Sequence, residues 1–183
     1  YFTPENSEAL GRGYRLGFLG MLHLKITQER LKTEYGLDLI ITQPTVPYKV
    51  LLRNNEEKII TNPSAWPDPN EIISSSEPWV KMEIMTLPQH LSAIMKLIND
   101  SRGENIHTFA FGERLIIRCE IPLEEIIKDF YDNLKSISSG YASLSYEISG
   151  YKETQLEKLE VILAGKKFES LSRIVFKEKI EKE

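Results

Sequence analysis

The run GYRLGFLGMLHL, residues 13–24, combines closely spaced glycines with a helix-like segment, as phosphate-binding turns do. A Walker loop needs the pattern G-x-x-x-x-G-K-[ST], in which backbone amides surround the phosphates and the lysine neutralises them. Here Met21 and Leu22 follow Gly20, so the lysine and the hydroxyl are absent. The dinucleotide pattern G-x-G-x-x-G fails as well, because its third glycine comes one residue late. The run therefore does not predict a nucleotide site.

The glycines of this run have a second explanation. The segment GFLG matches the G-x-x-G loop of RNA-binding KH domains, but that loop is usually polar or basic. Here it holds Phe18 and Leu19. Apolar residues between small ones favour close packing of a strand against a helix. We predict a packed turn, with direct ligand contact as the alternative.

Other reactive residue types do not form a catalytic or metal-binding pattern. His23, His90 and His107 lie far apart, without a companion at metal-ligand spacing. The segment SSGYAS, residues 138–143, lacks the G-x-S-x-G spacing of a nucleophile elbow. The single cysteine, Cys119, lies in an alternating run and is predicted to be a buried, unreactive thiol. Four carboxylates are predicted at solvent-facing helix positions: Glu124, Glu125, Asp129 and Asp132.

Composition places the chain among ordinary globular proteins. Its 183 residues are 41% hydrophobic and 27% charged, and no apolar run approaches the roughly 20 residues that span a bilayer. One cysteine excludes an internal disulfide and fits a reducing compartment. The net charge of −4 argues against a protein that coats DNA, but it allows a local basic tip. The opening at Tyr1, without Met, is expected of a fragment of a longer protein.

The elements of the first part are read from periodicity. We predict a short strand at 13–19, a helix at 21–35 ended by Gly36, and a buried strand at 37–42. Residues 43–78 hold six of the prolines and read as a connector, in which 48–53 and 57–62 pair as a hairpin.

Residues 79–151 show the clearest order of elements. Strands are predicted at 79–87, 105–111, 114–121 and 141–151. The first helix starts after a capping box of Thr86 and Gln89, ends at Gly103 and buries Leu91, Ile94, Met95 and Ile98. The second helix starts at Pro122 and buries Ile126, Ile127, Phe130, Leu134 and Ile137. The order β-α-β-β-α-β is the ferredoxin-like unit.

The predicted fold class is therefore α+β, with tandem ferredoxin-like units. The first unit is incomplete and a third segment is truncated. The predicted domains are 1–50, a partial first unit; 51–78, the connector; 79–151, the complete unit; and 152–183, the start of a further domain with two strands around Gly165 and Lys166.

Several motifs in order resemble the LepA, or elongation factor 4, family of translational GTPases. They are GYRLGFLGMLHLKITQERL with GLDLIITQPTVPYKV (13–50), KSISSGYASLSYE (135–147) and SLSRIVFKEK (170–179). Elongation factor G usually reads Gly-Glu-Leu-His-Leu where this chain has GMLHL, and it inserts a whole domain between its two ferredoxin-like units. The connector here leaves no room for that domain, since domains have at least about 50 residues.

The resemblance implies the end of domain III, an elongation-factor-G-like domain V, and the start of the C-terminal domain. It implies that the full-length protein is a GTPase that uses GTP and Mg, whereas this fragment is not an enzyme and has no catalytic, cofactor or metal residues. The implied function is the ribosome-binding part of a factor that acts in back-translocation or fidelity of protein synthesis. The implied location is the cytoplasm, with peripheral association at the inner face of the cell membrane.

The partners implied are the ribosome, through its RNA and proteins, and tRNA through the C-terminal domain, with the protein a monomer. Ferredoxin-like units present their tips, so polar residues at turns are the candidate ribosome or RNA contacts. These candidates are Arg12, Arg15, Arg102, Arg114, Lys135, Ser138, Ser139 and Tyr141. A solvated surface role is the alternative for the cations. The alternative function is a stand-alone interaction or small-ligand-sensing module.

Overall fold

The structure, a computed structural model, describes residues 2–7, 11–18, 21–41, 46–163 and 166–178. The chain divides into two units, each described here by itself. Unit 1 comprises Tyr1–Gln43 and Glu160–Ser172, and unit 2 comprises Pro44–Leu159 and Arg173–Glu183. No helix in the described ranges is long and apolar enough to cross a membrane.

Unit 1 contains a two-stranded antiparallel sheet and one helix. Strands β1 (Phe2–Ser7) and β2 (Gly11–Leu16) pair with each other, and helix α1 spans Met21–Tyr35 as predicted. Gly36 ends the helix as predicted, because its φ of +65° is left-handed and its N–H donates to the Lys32 carbonyl at 3.0 Å.

The predicted buried strand at 37–42 is wrong over the residues that the structure describes. Residues 36–41 have no regular secondary structure, and the Ile40 side chain is 75% exposed. Thr42 lies outside the described residues, as do Leu19 and Gly20 of the glycine-rich turn. A β-branched run favours a strand only where a neighbouring strand and a core receive it.

Unit 2 is built on a six-stranded sheet whose strand order is β4-β3-β5-β7-β6, with β8 also paired to β5. The strands are β3 (Tyr48–Leu52), β4 (Glu57–Ile60), β5 (Ile72–Thr86), β6 (Glu104–Phe111), β7 (Arg114–Pro122) and β8 (Ser143–Glu153). The predicted hairpin is confirmed as β3 and β4. Short 3₁₀ turns at Pro63–Ala65 and Pro69–Glu71 join it to β5.

The predicted ferredoxin-like unit is confirmed within this sheet. Its chain order is β5-α2-β6-β7-α3-β8, and all of its strand pairs are antiparallel. Strand β5 begins seven residues earlier than predicted, because its first part pairs with β3 (Lys49 opposite Ser76) while its second part pairs with β8. One long strand therefore serves both the hairpin and the ferredoxin-like unit.

The start of the first helix of this unit differs from the prediction. Helix α2 (Leu91–Asp100) follows a 3₁₀ turn at Pro88–His90, and no side chain caps either start. The predicted capping box is therefore wrong. The Gln89 Nε2 atom instead lies 3.1 Å from His90 Nε2.

Helix α3 covers residues 123–137 and contains an irregularity. It consists of α-helical Leu123–Glu125, a π-helical turn at Ile126–Phe130 and α-helical Tyr131–Ile137. A π-helical turn widens the helix locally and changes which side chains share a face.

Two clusters of buried side chains form the core of unit 2. The main cluster lies between the ferredoxin-like sheet and its two helices and includes Ile94, Ile98, Ile126, Phe130 and Leu134, as predicted, together with the predicted buried thiol of Cys119. The hairpin cluster contains Val46, Tyr48, Val50, Leu52, Ile60, Leu156 and Ile174. Leu123 packs against both clusters, and Ile127 packs against the hairpin cluster rather than the main one.

The final part of the chain forms the two strands that the sequence predicts. Strands β9 (Leu156–Leu163) and β10 (Lys166–Phe176) form a two-stranded sheet. Gly165, which the prediction places at their turn, lies outside the described residues.

Candidate nucleic-acid interface

Three connections meet at one end of the ferredoxin-like unit. They are residues 86–90, from the end of β5 to the start of α2, residues 111–114, from the end of β6 to the start of β7, and residues 138–142 between α3 and β8; we call them together the tip. Their proximity follows from the sheet register, in which Thr86 lies opposite Leu115 and Met85 lies opposite Ser143. The tip brings together four predicted site residues: Arg114, Ser138, Ser139 and Tyr141.

The turn after α3 is held by hydrogen bonds of Ser138. Its buried hydroxyl donates to the Leu134 carbonyl at 2.7 Å and accepts from the Ala142 N–H at 3.2 Å. Ser139 and Gly140 both have left-handed φ values, +50° and +81°. Such a turn needs a glycine at one position and tolerates few other residue types, so the SSG sequence dictates it locally.

This turn presents the side chain of Tyr141. The Tyr141 N–H donates to the Ser138 carbonyl at 2.9 Å, while its side chain is 63% exposed. The His90 ring faces it, with ring centroids 6.4 Å apart and planes 13° from parallel. The local sequence does not single out His90, because this residue lacks a companion at metal-ligand spacing. The signal that could have found it is the β-α-β-β-α-β order, which brings the β5–α2 and α3–β8 connections to the same end.

Cations and exposed aromatic rings lie on and near the tip. The Arg114 Nη1 atom lies 3.7 Å from the Met85 sulfur. The Lys135 Nζ atom, on the last turns of α3, lies 4.6 Å from the centroid of the Tyr131 ring. Phe111, opposite Arg114 in the sheet register, is 63% exposed. Exposed rings interleaved with cations are what single-stranded nucleic acid needs for base stacking and phosphate contact.

The open face of the same sheet is less suited to an anionic partner, because several of its charges pair with one another. The Arg118 Nε atom lies 2.8 Å from a Glu83 oxygen. The Lys152 Nζ atom lies 2.9 Å from Glu104 and 2.8 Å from Glu120, and a hydrogen bond from this lysine lowers the pKa of Glu120. Paired charges of both signs give little net attraction for phosphate.

Arg102 lies at the opposite end of the unit and points into the fold. Its guanidinium makes two hydrogen bonds to the buried Glu77 carboxylate, at 2.7 and 3.0 Å, and one to Glu125 at 3.1 Å. It also lies 4.7 Å from the centroid of the Phe176 ring. Burial acts to lower the pKa of Arg102, but the two carboxylates outweigh it and raise that pKa.

The predicted solvent-facing positions of Glu124 and Glu125 are wrong. Their side chains are 14% and 12% exposed, because Glu124 pairs with Lys128 at 3.0 Å and Glu125 pairs with Arg102. Asp129 and Asp132 are exposed, as predicted.

The remaining predicted contacts lie in unit 1. Arg12 and Arg15 are both on β2, where Arg12 is exposed and Arg15 is half-buried opposite Thr3. Among the described residues, no group of three His, Cys, Asp or Glu side chains could hold a metal ion.

Comparison with known proteins bears on both halves of the chain. Residues 74–162 match the family described as Elongation factor G C-terminus. The whole chain is similar to proteins named Elongation factor 4: 49% identical over 179 residues to those of Chlorobium phaeovibrioides and Chlorobium limicola, and 48% to that of Pelodictyon phaeoclathratiforme. Each match covers 97% of this chain, and the chain spans 30% of the length of these relatives.

A solved structure shares the fold. The crystal structure of a Thermus thermophilus protein matches 84% of this chain and 36% of its own, with a TM-score of 0.58 at 14% identity. At that identity the likeness bears on the fold alone. The sequence matches cover nearly the whole chain and confirm its predicted resemblance to the elongation factor 4 family.

Proposed function

We propose that this chain is the ribosome-binding part of an elongation factor 4-type translation factor and that its tip contacts ribosomal RNA. The observation that carries the proposal is the tip itself, which presents an exposed Tyr141 on a turn held by the hydrogen bonds of Ser138 and includes Arg114, with Lys135 on the preceding helical turn. This tip lies within residues 74–162, the part that matches the elongation factor G C-terminus.

The roles of the predicted contact residues divide by their geometry. Arg114, Lys135, Ser139 and Tyr141 are exposed and form the proposed contact surface on and beside the tip. Arg12 and Arg15 on β2 are a second proposed contact. Arg102 and Ser138 are engaged inside the fold, and we assign to them the support of that surface rather than direct contact.

The remaining proposals concern the longer protein that the relatives represent. It would be a GTPase that uses GTP and Mg in a domain outside this chain, and it would act in back-translocation or fidelity of protein synthesis in the cytoplasm. We propose that residues 1–50 are the end of its domain III, residues 79–151 its domain V, and residues 152–183 the start of a C-terminal domain that reaches tRNA. We also propose that the longer protein is a monomer and that it associates peripherally with the membrane.

Cosedimentation of the 183-residue chain with ribosomes, at several salt concentrations, tests the proposal. We expect binding that weakens as salt rises, and we expect the Arg114→Ala and Lys135→Ala variants each to reduce the logarithmic salt slope by about 0.7–0.9. Lys58→Ala is the matched control, because Lys58 is an exposed cation on β4, away from the tip. Absence of binding at low salt, or equal slopes for all three variants, would contradict the proposal.

The domain assignment has its own test, which is GTP binding. Equilibrium dialysis of the chain with labelled GTP is expected to show no retention, because the proposed GTP-binding domain is not in this chain. Measurable affinity for GTP would overturn the domain assignment.

A further inference from the structure

The rings of His90 and Tyr141 face each other at the surface of the tip. Two connections of the fold, residues 86–90 and 138–142, each place one ring at the tip, with planes 13° from parallel and centroids 6.4 Å apart. Tyr141 is 63% exposed and His90 is half-buried. Burial of these rings in a core therefore does not account for the arrangement.

Both rings are positioned by the backbone. The His90 N–H donates to the Leu87 carbonyl at 3.1 Å, and the Gln89 amide contacts the His90 ring at Nε2. Tyr141 follows the Ser138 turn, whose left-handed Ser139 and Gly140 are held by a hydrogen bond from the Gly140 N–H to the Lys135 carbonyl at 2.9 Å. Backbone turns that are already held lose little conformational entropy when a ligand stacks on the rings that they carry.

The charge around the rings indicates which ligand they suit. The tip carries one carboxylate, Glu113, and one guanidinium, Arg114, and Lys135 lies one turn of α3 away. The surface is thus close to neutral, so charge alone would hold an anionic polymer weakly. A ligand with a planar base and phosphates suits this surface, because the base can stack on the two rings while the phosphates contact Arg114 and Lys135.

We propose that His90 and Tyr141 form a stacking platform for an unpaired RNA base. This inference rests on the proposed function, since it specifies how the tip would recognise ribosomal RNA. Base–aromatic stacking tolerates any base and contributes substantially per base, whereas each phosphate contact adds mainly salt dependence. The platform therefore supplies the affinity that the nearly neutral tip does not obtain from charge.

The test uses the 183-residue chain and an eight-nucleotide oligoadenylate RNA with 2-aminopurine at its centre. Stacking on the platform is expected to change the fluorescence of the 2-aminopurine, and Tyr141→Ala is expected to weaken oligonucleotide binding about 10-fold without changing the salt slope. His90→Ala is expected to weaken it less, and Tyr141→Phe, which keeps the ring, to stay within about twofold. Tyr35→Ala, which removes a tyrosine 69% exposed on α1, is the matched control.

Parallel cosedimentation with ribosomes separates this inference from the proposed function. If the chain binds ribosomes but Tyr141→Ala changes neither ribosome nor oligonucleotide binding, the platform is refuted and the proposed function stands. If Tyr141→Ala weakens ribosome binding alone, the tip contacts a ribosomal protein, and the base-stacking proposal is overturned. If oligonucleotide binding depends on Tyr141 while ribosomes are not bound, the platform stands and the proposed function fails.

Discussion

At the scale of single residues, Arg102 occupies a position that sequence rules reserve for glycine. Helix α2 ends at Asp100 with Ser101 as its C-cap, and the next residue, Arg102, has a left-handed φ of +60°. Glycine is the usual residue there because it lacks a Cβ atom. The ion pairs of Arg102 with Glu77 and Glu125 stabilise this strained backbone conformation.

Loss of the Arg102 guanidinium is expected to destabilise the chain strongly. Arg102→Ala leaves the fully buried Glu77 carboxylate without its partner, which costs about 3–5 kcal/mol in comparable proteins. Urea unfolding followed by circular dichroism measures the change. Arg118→Ala is the control, because its ion pair with Glu83 is exposed and is expected to contribute less than about 1 kcal/mol. An equal decrease in the free energy of unfolding for the two variants would show that the buried ion pair contributes no more than the exposed one.

The thiol of Cys119 gives a pH-dependent prediction. Burial raises the pKa of Cys119 to about 11, so the folded state keeps its proton where the unfolded state, with a pKa of about 8.5, has lost it. Folding stability from this group is therefore complete below about pH 8.5 and decreases as the pH rises toward about 11. The difference in unfolding free energy between the wild type and Cys119→Ala, measured from pH 8 to pH 10.5, should shrink. A constant difference would contradict the burial.

At the scale of elements, the connection from α2 to β6 depends on Gly103 for space rather than for a left-handed φ. A Cβ atom built at Gly103 would lie 2.2 Å from the Ile98 Cγ2 atom and 2.9 Å from the Ile98 carbonyl oxygen. Ile98 is fully buried in the main cluster, so neither group can move freely.

Gly103→Ala is therefore expected to destabilise the chain by about 1–3 kcal/mol, the usual cost of forcing extra volume into a packed core. Thermal unfolding measures the change. Gly13→Ala on β2 is the control, because nothing lies within 4 Å of the position that its Cβ atom would take and its φ is not left-handed. A Gly103→Ala variant as stable as Gly13→Ala would show that Ile98 can yield.

Sequence patterns predicted elements where side-chain periodicity and core contacts agree. The stripes of α2 and α3 and the alternation of β5 and β7 led to the ferredoxin-like order, because each element buries one regular face. The prediction of a strand at 37–42 is wrong because it depends on composition alone. The prediction of a capping box is wrong because Pro88 starts a 3₁₀ turn. This turn places the start of the α-helix too far along the chain for the Thr86 side chain to cap it.

The candidate site was predictable only in part for a related reason. Tyr141 and Ser138 belong to a turn whose SSG sequence is informative by itself. The partnership of Tyr141 with His90, and the burial of Arg102 between two carboxylates, join residues far apart in the chain. Such pairings follow from the register of the sheet, which local patterns do not determine.

At the scale of the whole molecule, the two units differ in how much they bury. Unit 2 contains the main cluster and the hairpin cluster, whereas none of the unit 1 side chains whose burial the structure describes is buried. Local opening is easiest where few apolar contacts must be broken.

We therefore expect amide hydrogens of α1 to exchange with solvent faster than those of β5 and β7. Hydrogen exchange read by mass spectrometry, on peptides from each element, measures the difference. Slower exchange in α1 than in β5 would contradict the expectation.

The π-helical turn of α3 has a mechanical consequence for the tip. Leu123 packs against both clusters and Ile127 against the hairpin cluster, while Phe130 and Leu134 are buried in the main cluster. The helix is therefore held by side-chain packing against two clusters, and the tip turn follows its C-terminal end. A pull on Tyr141 would have to strain both clusters before the helix could tilt, so we expect unit 2 to follow a load at the tip as one stiff body.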